Sequence, residues 1–246
     1  MSKFATFAAL HVPGDPVVLY NIWDPASAQA VAKAGAKALA TGSHPVGDAA
    51  GFGDGQKVPL DYVFDNARRI MAVADLPLTV DFEGAYSADP AEGGENVRRL
   101  KETGAVGCNF EDQVIGGEGL HPLELQVRRI AAIRQAVGDD FFINARTDLF
   151  LKTQTHDDAL IDQVIERGKA FAGAGASGFF VPRLADPAQI ERIVREVPLP
   201  LNVIAFPGAP DKSVWASAGV ARISHGPFPH RALMATLTEM AGAAIG

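Results

Sequence analysis

What most constrains this chain is a recurrence of structure without a recurrence of sequence. Short apolar or β-branched runs alternate with longer amphipathic stretches rich in Ala, Arg and Glu. The runs fall at residues 17–20, 37–41, 78–82, 106–110, 141–145, 178–181, 201–205 and 220–223. Helical periodicity fills the intervals at 25–34, 60–74, 92–102, 122–137, 157–172, 187–195 and 211–217, with a last helix at 229–243. Eight units in 246 residues take about 31 residues each, the size of one βα repeat. Asp24 before Pro25 and Asp186 before Pro187 mark helix starts. Gly35, Gly104, Gly175 and Gly219 sit at helix-to-strand joints, where a residue tolerating positive φ ends a helix. An open doubly wound sheet shares this alternation, but no dinucleotide-binding fingerprint follows a predicted strand. The expected fold is therefore α/β, a single (β/α)8 TIM barrel. No linker interrupts it, so residues 1–246 read as one domain.

Composition removes several classes of function. The chain is 48% hydrophobic, enough for one large core. It carries 22 Lys and Arg against 29 Asp and Glu, a net charge of −7, and no basic stripe, so nucleic acid is not an expected partner. A small anion is not excluded, since one arginine or a metal overrules the mean field locally. The single cysteine, Cys108, precludes an internal disulfide and a cysteine-cluster zinc site. No run of about 18 apolar residues predicts a membrane span. The apolar run at residues 4–10 is too short for a secretory leader, so a cytoplasmic location is expected.

In a (β/α)8 barrel the active site forms at the C-terminal ends of the strands. Those ends carry Thr41-Gly42-Ser43 after the second strand and Asp81-Phe82-Glu83 after the third. The fourth ends in Asn109-Phe110-Glu111-Asp112 and the fifth in Asn144-Ala145-Arg146-Thr147-Asp148. Residues two apart in an extended strand share a side, which pairs Asp81 with Glu83 and Asn109 with Glu111. Three acids at one mouth repel unless a cation lies between them, and an all-oxygen donor set suits Mg²⁺ or Mn²⁺ rather than zinc. Arg146 beside them is a candidate clamp for a substrate carboxylate, or a counter-ion for the acids. Asp112 and Asp148 taken singly read as helix caps or partners of surface arginines.

These segments carry a resemblance. Residues 80–86 (VDFEGAY), 109–112 (NFED) and 144–148 (NARTD) resemble the isocitrate lyase/phosphoenolpyruvate mutase superfamily. Asn21-Ile22-Trp23-Asp24, Gly51-Phe52-Gly53-Asp54-Gly55 and Pro200-Leu201-Asn202-Val203 extend the likeness over about residues 4–235. The resemblance implies a Mg²⁺-dependent enzyme acting on a small anionic 2-oxo acid through a metal-stabilised enolate. Asp81 is then the direct metal ligand, and Glu83 and Glu111 hold its waters. Arg146 binds the substrate carboxylate, and backbone amides around Thr41, Gly42 and Ser43 bind the pyruvyl end. Asp54 gates the site, and Asn202 at strand seven is a candidate substrate contact; His44, which follows Ser43 at the rim, reads as a substrate contact or as a solvated loop residue. Lyase chemistry, by oxaloacetate-type decarboxylation or retro-aldol cleavage of a 2-hydroxy diacid, is the leading expectation. A P–C bond enzyme, such as a phosphonopyruvate hydrolase or mutase, is the alternative within the same chemistry. A non-catalytic 2-oxo acid binding barrel is the alternative outside it. A homo-oligomer, dimer or tetramer, is also expected.

Departures from the family pattern are equally specific. The loop that carries a catalytic cysteine in isocitrate and methylisocitrate lyases is here residues 113–121, QVIGGEGLH, without a cysteine. Cys108 cannot replace it, because it lies within the fourth strand on the side opposite Asn109, as a packing residue. The family's serine at the second strand end is displaced to Ser43, after Gly42. His121 on the Gly-rich loop reads as a lid residue or as an ordinary loop residue. Arg183, after the sixth strand, reads as a contact for a distal acid group or for a rim carboxylate. His156, Arg68, Arg69, Arg128 and Arg129 read as solvated helix positions.

Overall fold

The computed structural model describes residues 1–246. Its strands are β1 (Val17–Leu19), β2 (Leu39–Ala40), β3 (Leu78–Asp81), β4 (Gly107–Glu111), β5 (Phe142–Arg146), β6 (Gly178–Phe180), β7 (Leu201–Ile204) and β8 (Arg222–Ser224). All pair in parallel, in the order β1-β8-β7-β6-β5-β4-β3-β2. The two ends of that order meet through a parallel bridge between Ile22 and Thr41, just past the β1 ladder. There the Ile22 amide donates to Ala40 at 2.9 Å and the Gly42 amide to Ile22 at 3.2 Å. The sheet thus closes into the expected (β/α)8 barrel.

The helices that cross over between strands are α2 (Pro25–Lys33), α4 (Leu60–Val73), α5 (Pro90–Lys101), α6 (Leu123–Val137), α8 (Asp158–Gly173), α9 (Pro187–Glu196) and α10 (Lys212–Ser217). Asp24 caps α2 in a reciprocal capping box with Ser27, and Asp186 caps α9 through the Gln189 amide. Gly35, Gly104, Gly175 and Gly219 all adopt φ between 90° and 97°, the left-handed joints expected of them.

Four helices lie outside that repeat. α1 (Lys3–Ala9) precedes β1, α3 (Ser43–Ala50) and α7 (Leu149–Lys152) follow β2 and β5, and α11 (Phe228–Ile245) ends the chain. No helical periodicity marks the interval between residues 41 and 60, yet Ser43–Ala50 forms α3. The apolar N-terminal run is α1, capped where the Ser2 hydroxyl accepts from the Ala5 amide at 3.1 Å.

Alternation along the strands sorts side chains into two cores. One, of 44 buried residues, lies between sheet and helices and includes Cys108. The other, of 7 buried residues, joins Phe7 of α1 to Val17, Leu19, Ala38, Ala40, Val106 and Phe142. It fills the interior at the N-terminal ends of the strands, so α1 is a plug. No helix is long and apolar enough to cross a membrane.

Candidate active site

Above the plug the barrel interior turns polar. The third residue of β4 and of β5, Asn109 and Asn144, faces inward beside Asn202 of β7 and Arg222 and Ser224 of β8. The Asn144 amide donates to Asn109 and to Asn202, each at 2.9 Å, and the Asn202 amide donates to Ser224 at 3.2 Å. Arg222 closes the ring by donating to Asn109 at 3.1 Å and to Ser224 at 3.3 Å. From this ring Asn109 reaches Asp81, donating to Oδ1 at 3.3 Å. Burial pushes the Arg222 guanidinium down to about 9, against the pull of Asp81 and Cys108, and its Nη1 has no partner. Arg222 was not anticipated. An arginine in an otherwise apolar strand, two residues before Ser224, was the available signal.

Asp81 ends β3 at the base of a cavity of about 690 Å³ that opens over the C-terminal ends of the strands. Its Oδ2 accepts from both the amide and the hydroxyl of Ser43, at 3.0 and 2.9 Å. The displaced serine therefore begins α3 and orients Asp81. The three amides expected to bind a pyruvyl group are engaged internally. Thr41 donates to Thr79, Gly42 to Ile22 and Ser43 to Asp81.

Glu83 is not reached by strand alternation. β3 stops at Asp81, and Glu83 adopts φ 49°, followed by Ala85 and Tyr86 at 57° and 60°. Backbone strain of this kind clusters at functional sites. The bend buries Glu83, whose Oε2 accepts from the Gln56 amide at 2.8 Å. Burial, then the charges of Asp81 and Asp54, raise its carboxyl to about 8. Asp54 lies on the loop after α3 and lines the large cavity with Asp81 and His44. A β-carbon at Gly47 would lie 2.2 Å from the Gly53 carbonyl oxygen, so only glycine there lets the Asp54 loop rest against α3.

Glu111 and Arg146 are register partners on β4 and β5, and their side chains pair at 2.9 Å. Arg146 is also held at 2.6 and 3.1 Å by Asp148. Burial raises the Glu111 carboxyl well above its usual range, although Arg146 opposes this. Burial also disfavours the Arg146 charge, but Glu111, Asp148 and Asp81 together hold it firmly protonated. Asp112 accepts from the Asp148 amide at 2.9 Å and pairs with Arg167 at 3.0 Å, the structural role expected of it.

Other expected positions separate clearly. Thr41 lies at the foot of Asp81, accepting its amide at 3.0 Å. Gly42, His44, Arg183 and His156 line the large cavity, whereas Asn202 lies beneath it in the buried ring. His156 is thus not a solvated helix residue. It sits in the turn before α8, where its Nε2 lies 3.1 Å from the Phe150 carbonyl oxygen. Arg129 corrects the same expectation: it is buried, stacked over Phe110, and donates to the Gly84 and Ser87 carbonyls at 2.7 and 3.0 Å. It braces the bend that carries Glu83. Arg68, Arg69 and Arg128 are exposed as expected. His121 lines a separate cavity of about 130 Å³ with Arg129 and Gln113.

A divalent cation fits this donor set. Glu83 and Glu111 are buried acids raised by their burial and by neighbouring acids, the penalty a bound cation reverses. No three acids converge into an all-protein cage. Mg²⁺ does not require one, since it keeps several waters and takes one or two carboxylates. Asp81 would hold it directly, with Glu83 and Glu111 acting through water.

A strand-end acid set around a polar mouth places the protein among the barrels of the (β/α)8 class. Comparison with known proteins then fixes the family. Residues 7–245 match the family described as phosphoenolpyruvate phosphomutase, and the chain belongs to it, within the phosphoenolpyruvate mutase/isocitrate lyase superfamily of lyases and mutases. An uncharacterized protein of Mycobacterium tuberculosis is 33% identical over 231 residues, 92% of this chain and 84% of that one. A protein of Corynebacterium glutamicum provisionally named 2-methylisocitrate lyase 2 is 32% identical over 187 residues, 73% of this chain and 59% of that one. A crystal structure from Burkholderia cenocepacia J2315, provisionally named a phosphonomutase, superposes with TM-score 0.95 at 43% identity over 98% of both chains. Phosphonopyruvate hydrolase, solved with oxalate and Mg²⁺, shares the fold at TM-score 0.86 and 21% identity, over 99% of this chain and 87% of that one.

Proposed function

We propose that this chain is a Mg²⁺-dependent lyase that cleaves a C–C bond in a small 2-oxo acid or 2-hydroxy diacid. The observation that carries the reading is Asp81 facing a large cavity, fixed by Ser43 and Asn109, with buried Glu83 and Glu111 close enough to be raised by its charge. Bound there, Mg²⁺ supplies Lewis-acid polarisation of the 2-oxo group and offsets negative charge as the bond breaks. The protein's part is orientation and exclusion of water. Arg146, immobilised by Glu111 and Asp148, offers its remaining donor surface to the substrate carboxylate without reorganising. Asp54, on the rim loop, closes over the bound acid. For oxaloacetate, CO₂ leaves and the three-carbon product takes up a proton. For a 2-hydroxy diacid, loss of the hydroxyl proton leaves a 2-oxo acid on one side of the opening C–C bond, and the other fragment keeps the bonding electron pair and takes up a proton.

The test is pyruvate or glyoxylate release from a panel of 2-oxo and 2-hydroxy diacids, with Mg²⁺ and with chelator. Chelator-sensitive turnover of at least one member is expected, and none at all refutes the reading. Likeness to the Burkholderia structure favours a second reading, P–C chemistry on a phosphonate-bearing 2-oxo acid, for which release of phosphate from phosphonopyruvate, or its isomerisation to phosphoenolpyruvate, is the discriminating signal. A silent binding barrel would give neither product, and its metal affinity would be unchanged by Asp81→Ala.

The protein is further proposed to act as a homo-oligomer in the cytoplasm. Leu233, Leu237 and Met240 form one exposed apolar face of α11, at 51%, 57% and 67% exposure. A monomeric mass by light scattering would overturn the oligomer.

A further inference from the structure

We propose that Arg222 is a positioning residue: from the buried polar ring it directs Asn109, and through Asn109 it fixes the carboxylate of Asp81 for the metal. The inference rests on the metal reading above and adds what makes Asp81 a preformed ligand. Its first support is that stability does not account for Arg222. The side chain is fully buried, and its guanidinium donates to Asn109 Oδ1 at 3.1 Å and to Ser224 Oγ at 3.3 Å, neither of them a carboxylate. One terminal nitrogen, Nη1, has no partner. A buried charge without an ion pair, with an orphan donor besides, is a cost that an apolar side chain in the same space avoids.

The second support is the direction of the hydrogen bonds. The Asn202 amide nitrogen donates to the carbonyls of Val203 and Arg222, at 2.7 and 3.1 Å, and a carbonyl only accepts. The Asn202 oxygen is thereby turned to Asn144 and accepts from its amide, which also donates to Asn109 Oδ1. Arg222, a side chain with donors only, aims at that same Asn109 oxygen. Two donors on Oδ1 leave Asn109 one orientation, with its amide nitrogen 3.3 Å from Asp81 Oδ1. Reversed, the amide would set its oxygen against the carboxylate and its nitrogen against two donors. The other Asp81 oxygen accepts from the amide and the hydroxyl of Ser43. The carboxylate is thus gripped by donors on both oxygens, and its orientation is set before a cation arrives. Third is reach. β8 and β4 stand opposite each other in the strand order, so a donor from β8 must cross the barrel interior to meet Asn109. Arginine is long enough, and its fork engages Ser224 on its own strand and Asn109 on the far one.

Mn²⁺ binding to the full chain, read from the electron paramagnetic resonance of the free ion, tests this without any substrate. Arg222→Met is expected to bind Mn²⁺ about tenfold more weakly, the size of an outer-shell loss, while its melting temperature holds or rises because the orphaned charge is gone. A merely structural arginine gives the reverse, a lower melting temperature with Mn²⁺ affinity intact, and overturns the proposal. Tighter Mn²⁺ binding by Arg222→Met overturns it too, since the guanidinium would then act only as a charge that repels the cation. The route is tested by a cycle with Asn109→Ala. Where Arg222 acts through Asn109, the double variant binds Mn²⁺ within about twofold of Asn109→Ala alone, whereas two losses that multiply overturn the route. If Arg222→Met does not fold, Arg222→Lys enters the same measurements. It keeps the charge but lacks the fork, so a loss of about threefold is expected, and an unchanged affinity overturns the proposal. Failure of the metal reading is separate: the intact protein then binds no Mn²⁺, and the proposal falls together with that reading.

Discussion

At the N-terminal end of the barrel, Phe7, His11 and Phe142 close the interior with rings packed edge-on and stacked, their centroids 4.2 to 5.3 Å apart. At the C-terminal end, Asp81 and Arg146 line the open cavity with Glu83 and Glu111 buried beside them, on backbone that turns through positive φ at Glu83, Ala85 and Tyr86. The same eight strands serve both ends. The plug gains from close apolar packing, whereas the mouth holds like charges together and gains nothing from them unless something binds. Stability and activity should therefore separate along the barrel axis, as expected where a strained site rests on a firm base.

The sharpest break is Asp81→Ala. It removes the carboxylate that Ser43 and Asn109 orient, and Mg²⁺-dependent turnover should fall by roughly 10³-fold or more, the equivalent of several kcal/mol of transition-state stabilisation. The melting temperature should hold or rise, because one of the charges that raises Glu83 is gone. A protein that unfolds instead would place Asp81 among the structural residues. The reverse experiment is Phe7→Ala. Phe7 is fully buried in the plug, so about 3 kcal/mol or more of stability should be lost in denaturant titration, with kcat per folded molecule unchanged.

Stability should also depend on pH through the plug. Burial and the charge of Arg222 hold His11 down to about 3, against its hydrogen bond with the Phe7 carbonyl. A histidine depressed in the folded state contributes stability above its unfolded pKa, and that stability is lost as pH falls. Between pH 7 and pH 5 the unfolded chain gains a proton that the folded one refuses, a loss of about 2 kcal/mol. His11→Leu should flatten that slope, whatever it does to stability at pH 7. An equal slope in the variant would mean that His11 protonates in place.

Much of this was legible in the sequence, and the limits are instructive. The eight strands follow from local apolar runs, and their order follows from the barrel itself. The last one is displaced from 220–223 to Arg222–Ser224 because the Val220 carbonyl accepts from Gly14 in the N-terminal loop rather than from a strand neighbour. Asp81, Glu111 and Arg146 were legible as strand ends. Glu83 was found for an imperfect reason, since a left-handed turn rather than alternation buries it. Arg129 and Arg222 were not legible as buried groups, because what stabilises each is a set of carbonyls and amides distant in the chain. α3 was hidden for a similar reason: Gly42, Pro45 and Gly47 read as loop residues locally, and the helix is fixed by Asp81 and by the Asp54 loop packed on it.

The smallest effect probes the layer between the two ends. A β-carbon at Gly178 would lie 2.8 Å from Asn144 Oδ1 and 2.8 Å from the Phe142 ring, so Gly178→Ala presses on the polar ring and on the plug together. Overpacking of this kind costs about 1–2 kcal/mol. Which neighbour yields is decided by its other contacts. Phe142 is held between Phe7 and His11, whereas Asn144 Oδ1 has no hydrogen-bond partner and is the atom free to move. Its displacement pulls the amide bonds to Asn109 and Asn202, and Asn109 carries the shift to Asp81. Gly178→Ala should therefore weaken Mg²⁺ binding severalfold, because Asn109 donates to the Asp81 carboxylate proposed to hold the ion, while the pH slope from His11 stays as it was. Unchanged Mg²⁺ affinity beside a changed slope would show that the plug yields instead, and that the ring is the more rigid part of the barrel.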